Sequence, residues 1–496
     1  MRILYFDIDS LRADHLGCYG YHRATSPCID RMAAQGVRFN GCHVSDAPCL
    51  PSRTALFSGR FGIHNGVVNH GGAAAELFNE GAERDFVSKL GQTNWMRCLH
   101  NAGLHTATIS SFGERHSAWH WYAGFNEVHN NGCGGMENAD EVEPLALDWV
   151  AHQPDDSNNW FLHVNLWDPH TPYNTPVEFG DPFVDTPLPA WYTPAILAKH
   201  RAGFGPHSAR EVCGFDTEYP FAKPFPRQPL ELNSMADARK VFDGYDTGVL
   251  YADRAIGRIL TAVEKRGWLD DTWVIISSDH GENLGEFNIY GDHQTADTIT
   301  SRVPLIIRPP ISFKGQRGRV DDSLIYQGDM AATMIEMAGG AVPENWDARS
   351  FTSQFNQDQP VDHRTALVIS QMAWSCQRSV RWADWLCIRS YHDGYHGFPP
   401  VMLFNIKADP HLQDDLAPTQ QAVADHGLAL LDQWMSEMKA TATHPVDPME
   451  TVMQEGGPLH TRGVLPAYLA RLKATGRADG AEKLSRAHPA AAVGKP

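Results

Sequence analysis

The residues most able to do chemistry sit where inferred strands and helices begin or end. Ile3 to Ile8 is a short apolar run that stops at Asp9 and Ser10, the pattern of a buried parallel strand with its carboxyl end at Asp9. Thr272 to Ser278 is a second such run and leads into Asp279 and His280. In open α/β sheets ligands collect at the carboxyl edge, so Asp9, Asp279 and His280 can converge there. The stretch Cys49-Leu50-Pro51-Ser52-Arg53 places residue 49 at a helix N-terminus, where backbone N–H groups and the helix dipole favour anions. Arg53, one turn on, points to the same place. Two carboxylates, an imidazole and a donor from residue 49 describe a divalent cation site. Asp7 shares a strand face with Asp9 but lies about 6–7 Å deeper, which suits a supporting hydrogen bond better than direct ligation.

The remaining pattern supplies the elements that would hold these groups. Ser26-Pro27 opens a helix with a capping residue and a proline at its first position, and Gly36 closes it. Thr106 to Ser110 and Trp160 to Leu166 are further strands. Met235 to Arg266 carries apolar residues along one helical face until Gly267 stops it. Between Pro169 and Pro229 the chain is dense in prolines, as expected of a lid, a binding loop or an oligomer contact. Beyond residue 360 short strands at Ser379 to Trp382, Trp385 to Ser390 and Met402 to Ile406 precede a helix from about Thr419 to Lys439, predicting a small antiparallel sheet packed by one helix. The expected division is a catalytic α/β domain over 1–360, a subdomain over 361–440, and an arm or partly disordered tail over 441–496.

Composition narrows the function classes. The 496 residues carry 41 Lys and Arg against 59 Asp and Glu, a net charge of −18, which argues against nonspecific binding to nucleic acid or anionic membranes. A hydrophobic fraction of 42% is enough for a large core and too high for disorder. No apolar run approaches the roughly 20 residues of a membrane span, and acidic residues at positions 7 and 9 leave no room for a secretory signal, so a cytoplasmic location is expected. Nine cysteines without paired short spacings suggest reduced thiols rather than a disulfide framework.

Cys49 to Arg60 resembles the signature of the type I sulfatases, C-x-P-S-R-x-x-L-x-[ST]-G-[RK], at every fixed position. Other family landmarks follow in order. Asp9 opens a segment where many members have Asp-Asp, Pro169-His170-Thr171-Pro172-Tyr173 resembles P-H-x-P-Y, and Ser278-Asp279-His280-Gly281-Glu282 matches S-D-H-G-E. The resemblance implies an alkaline phosphatase-like fold, α/β, with a large mixed, mostly parallel sheet sandwiched by helices. It also implies that Cys49 is oxidised to formylglycine by a formylglycine-generating enzyme, and that Asp9, residue 49, Asp279 and His280 hold one divalent metal. A histidine where many members have an amide leaves Ca²⁺, Mn²⁺ and Mg²⁺ all open. Two family lysines are replaced: the first falls on Ser111 and the second on Asp292 and His293. Arg115 or His116 can take over part of that pocket. The lone acidic strand end, the Asp-His ligands and the histidines around the scissile group are closer to the pattern of the phosphonate monoester hydrolases.

The chemistry implied is hydrolysis of a sulfate ester. The formylglycine hydrate attacks sulfur, Arg53 holds the attacking hydroxyl, and His170 and His293 bind sulfuryl oxygens and protonate the leaving alcohol. Ser111, Arg115 and His116 are candidate substrate contacts. A sulfated saccharide is the preferred substrate. A phosphonate monoester or phosphodiester, which carries the same single charge, is the alternative, and a noncatalytic binder with an unmodified Cys49 is a third reading. A homo-oligomer is expected.

Overall fold

The computed structural model describes residues 1–79, 89–135, 137–215, 225–362 and 364–492. In chain order the strands are β1 (Arg2–Ile8), β2 (Val37–His43), β3 (Asp46–Ala47), β4 (His105–Ile109), β5 (Glu127–His129), β6 (Trp160–Leu166), β7 (Thr272–Ser277), β8 (Asn283–Leu284), β9 (Tyr290–Asp292), β10 (Leu305–Arg308), β11 (Arg319–Tyr326), β12 (Ala366–Gln371), β13 (Cys376–Trp382), β14 (Trp385–His392) and β15 (Val401–Asn405). The large sheet has the order β11-β2-β10-β7-β1-β6-β4-β5. Its neighbours run parallel except at β10, which is antiparallel to both β7 and β2.

Strand β1 lies at the centre, and its alternation explains both the packing and the site. Leu4, Phe6 and Ile8 face a core shared with the helices Pro27–Ala34, Ala139–His152 and Met235–Lys265. Ile3 and Tyr5 face the opposite core, which contains the helices Cys49–Ser58 and Gln327–Met337. Burying each of these large side chains contributes about 1.5–3 kcal/mol. Because the side-chain period is two, Asp7 and Asp9 point to the Cys49–Ser58 side. That helix is buried along all ten residues and ends at Gly59, whose φ of 68° a side chain would strain; a Cβ there would also strike the Trp346 ring.

Several details differ from the sequence reading. Ser26 does not cap its helix; instead Asp253 of the long helix accepts from the Cys28 and Ile29 amides at 2.8–3.0 Å, joining the two helices. The small sheet, β15-β14-β13-β12-β3, takes an edge strand from residues 46–47, so β3 links it directly to the chain entering Cys49. Among the described residues after 441, most are helical. Pro448–Gln454, Leu465–Ala474 and Ala478–Ala487 are short helices. Leu465, Tyr468, Leu472 and Leu484 pool into one small core with Tyr395. A buried bidentate pair, Arg378 to Asp447 at 2.6 and 2.8 Å, ties this arm to β13.

The proline-dense insertion is packed where it is described. Arg227 donates to the carbonyls of Thr175, Pro176 and Gly180, while Tyr192, Leu197 and Leu232 join the core of the long helix. Pro220 and Pro224 lie outside the described residues.

Candidate active site

The carboxyl ends of β1 and β7 meet the N-terminus of the Cys49–Ser58 helix. Asp9 follows β1, held by its amide on the Leu166 carbonyl at 2.8 Å. Ser10 adopts a left-handed φ of 59°, which turns its amide onto Asp279 Oδ1 at 3.2 Å and its hydroxyl onto Asp9 Oδ1 at 3.0 Å. Ser52 donates to the Asp279 carbonyl at 2.6 Å, clamping the helix to the end of β7. These ties bring one donor atom each from Asp9, Cys49, Asp279 and His280 within 4.8 Å of one another. That spread fits ligands about 2.0–2.6 Å from a common cation. Cys49 Sγ lies 3.0 Å from His280 Nε2.

The charge balance makes the same point. Arg53 donates to Asp7 at 2.8 Å, Asp9 at 3.0 Å and Asp279 at 2.6 Å. Three buried carboxylates thus share one guanidinium, so with all three ionised two negative charges would stay unbalanced where water is excluded. Burial opposes ionisation of Asp9, but Arg53, His170 and His280 overcome it and hold its pKa below the carboxylate range. Asp279 goes the other way: burial and its acidic neighbours Asp9 and Asp7 push it well up despite Arg53. A divalent cation would let both carboxylates ionise, so the donor set fits one. Burial, Asp9 and Asp279 also push the Cys49 thiol well above its ordinary pKa, making it a poor nucleophile as it stands.

Asp7 is not in the ligand cluster. It orients Arg53 and accepts from His163 at 3.3 Å, the supporting role. Opposite the carboxylates stand imidazoles. One ring nitrogen each of His170 and His293 lies within 4.8 Å of Cys49 Sγ, and the His293 ring centroid is 4.0 Å from that of His280. Burial lowers the pKa of both His170 and His293. Asp292, at a position of the missing lysine, is paired with His207 at 2.9 Å.

The candidate substrate contacts divide. Arg115 lies over the Trp167 ring at 5.1 Å, close enough for its charge to act on Cys49 and His170. His116 lies near Arg53 and Asp9, and its buried Nε2 has no hydrogen-bond partner among the described residues. The Ser111 hydroxyl donates to Glu137. Trp121 of the Trp-rich run belongs to the core against Phe57 and Phe112, whereas Trp119 is 64% exposed.

Three histidines at or beside the site were missed in sequence. His163 had a usable signal, as a polar residue inside the apolar run of β6. His70 and His460 had none, since neither belongs to a motif. Their contact, Nδ1 to Nε2 at 3.2 Å, spans 390 residues. Burial, with His116, His460, His293 and His280 nearby, pushes the His70 pKa well down and keeps the ring neutral.

A family model described as Sulfatase matches residues 2–341. The N-acetylglucosamine-6-O-sulfatase of Bacteroides thetaiotaomicron is 23% identical over 481 residues, covering 84% of this chain and 82% of the relative. The multifunctional alkaline phosphatase superfamily protein PehA of Trinickia caryophylli is 23% identical over 480 residues, covering 84% and 91%. Among solved structures, a complex with its substrate D-glucosamine-2-N,6-O-disulfate superposes with a TM-score of 0.68 at 20% identity, over 88% of this chain and 98% of that one. The phosphonate monoester hydrolase of Silicibacter pomeroyi gives a TM-score of 0.65 at 19% identity, over 90% and 96%. With the signature on a buried helix at the sheet's carboxyl edge and the family match over most of its length, the chain belongs to the sulfatase family, hydrolases of sulfate esters.

Proposed function

We propose that this sulfatase cleaves a sulfated saccharide, using residue 49 as formylglycine and one divalent cation held by Asp9, residue 49, Asp279 and His280. The observation that carries this reading is the four-donor cluster beside Arg53, with its unbalanced negative charge. When bound, the cation supplies Lewis acidity toward the ester oxygens and the hydroxyl of residue 49. Oxidation by a formylglycine-generating enzyme supplies a hydrated aldehyde where a buried, protonated thiol would be unreactive.

The chain's own residues do the rest. Arg53 fixes the carboxylates, and its remaining buried nitrogen, Nη2, has no hydrogen-bond partner among the described residues and is free to hold an oxygen of residue 49. His170 Nδ1 donates to the Thr171 carbonyl, which leaves no proton on Nε2 of the neutral ring; His170 and His293 donate to the sulfuryl oxygens once the anionic ester draws a proton onto them. One of them carries the proton to the leaving alcohol, which fits an imidazole. Arg115 adds a positive charge at the pocket wall. The saccharide preference is supported by the relative named for a 6-O-sulfated sugar and by the solved complex with a sulfated glucosamine.

Mass spectrometry of the peptide containing residue 49 tests the modification. The expected product has lost one sulfur and two hydrogens and gained one oxygen; an active enzyme with an intact thiol would refute it. A second reading, phosphonate monoester hydrolysis, is favoured by the replacement of both family lysines with a mostly imidazole wall and by the fold neighbour with that activity. Parallel kcat/KM measurements on a sulfate ester and a phosphonate monoester with the same leaving group separate the two.

A further inference from the structure

The loop that follows the signature helix is held by the C-terminal arm. Glu455 accepts from the Ala73 amide at 2.9 Å. At Gly71 and Gly72 the arm comes so near that a Cβ would stand 2.9 Å from Leu459 and 2.2 Å from the Glu455 carboxylate. From this arm His460 reaches back. Its ring stacks on Trp374 with centroids 4.3 Å apart, its amide donates to the Ala373 carbonyl at 3.2 Å, and its Nε2 meets His70 Nδ1 at 3.2 Å.

The other face of this contact is the reaction centre. The His70 ring centroid is 5.1 Å from that of His116. His70 Nε2 and His116 Nε2 are both buried, and neither has a hydrogen-bond partner among the described residues. A buried imidazole nitrogen left unpaired is costly unless a ligand satisfies it. When His460 Nε2–H donates to His70 Nδ1, the proton of the neutral His70 ring resides on Nε2, and that nitrogen becomes a donor.

We propose that His70 is a further substrate-binding residue, donating from Nε2 to an oxygen of the bound ester, and that His460 of the C-terminal arm is the positioning residue that fixes its orientation and tautomer. The arm thereby completes the pocket on the side where the family lysines are missing. The inference rests on the ester-hydrolase reading of the site.

A double-mutant cycle tests it, with 4-nitrophenyl sulfate, N-acetylglucosamine 6-sulfate and a 4-nitrophenyl phosphonate monoester as probes. His70→Ala is expected to lower kcat/KM by about 10- to 100-fold, mainly by raising KM, as loss of one hydrogen bond to a charged ligand does. His460→Ala is expected to cost about 3- to 10-fold in the wild-type background and nothing further in His70→Ala, because it acts through His70. His460→Gln, which keeps an N–H donor, is expected to return most of the loss. If His70→Ala does not fold, His70→Phe keeps the ring and carries the same test. Independent, multiplying effects of the two histidines, or a His70 variant within about twofold of wild type, overturns the proposal. A wild-type enzyme inactive on all three probes overturns the ester-hydrolase reading and this inference with it, whereas an active wild type with unaffected variants overturns the inference alone.

Discussion

The two walls of the active site are built on different principles. One wall is charged: Asp9, Asp279 and Arg53 are fully buried and locked to strand ends and to one helix by short hydrogen bonds. The other is mostly neutral: His170, His293, His116 and His70 come from loops, several with a ring nitrogen still unpaired. Charges that must meet a cation need a rigid scaffold, because a small displacement in a dry site changes the Coulomb energy steeply. Hydrogen-bond donors for an anionic ester need to be numerous and adaptable instead. The charged wall should therefore fail abruptly on mutation and the imidazole wall by degrees.

Four measurements can break that contrast. The largest effect is expected at residue 49 itself, where Cys49→Ala should lower kcat by at least about 10⁴-fold, as loss of a nucleophile does. Stopped assays on saturating substrate check this. Next, chelation should abolish turnover and lower the melting temperature, since a cation bound at about 100 times its Kd stabilises by roughly 2.7 kcal/mol. Calorimetry with and without chelator reads the shift, and an unchanged melting temperature would contradict the unbalanced charge around Arg53. On the opposite wall His170→Ala should cost about 10²- to 10³-fold in kcat, with a smaller loss on substrates whose leaving group needs no proton. A series of aryl esters of graded leaving-group pKa distinguishes that from a structural defect. The smallest effect is expected for His116→Gln, about tenfold or less in kcat/KM, because an amide can still donate. A loss there as large as that of Cys49→Ala would end the distinction between the walls.

How far the sequence could be read follows the same division. Asp9, Cys49, Arg53, Asp279 and His280 were legible because each sits within a short motif at the end of a strand or the start of a helix. The central strands β1, β6 and β7 were legible as the same apolar runs and are buried throughout. The missing capping hydrogen bond of Ser26 and the edge strand β3 were not legible, since both depend on what a distant segment brings. Asp253 comes 225 residues after Cys28, and β12 more than 300 after β3. How the arm docks was not legible for a related reason. Leu465, Tyr468, Leu469 and Leu472 form a helical stripe within one short segment, but the residues that cover it, Tyr395 and Leu484 among them, are brought there only by packing.

What the chain's order of residues determined by itself is the charged wall: strand ends, a helix start and a motif place those groups through local geometry alone. Only the tertiary structure decided that Asp7 serves Arg53 rather than a cation, that Ser111 turns toward Glu137, and that His460 meets His70 across the arm. The physical reason is range. Local backbone geometry aims a side chain within a few residues of its motif, whereas the partner that orients or satisfies a loop histidine is chosen by how distant elements pack.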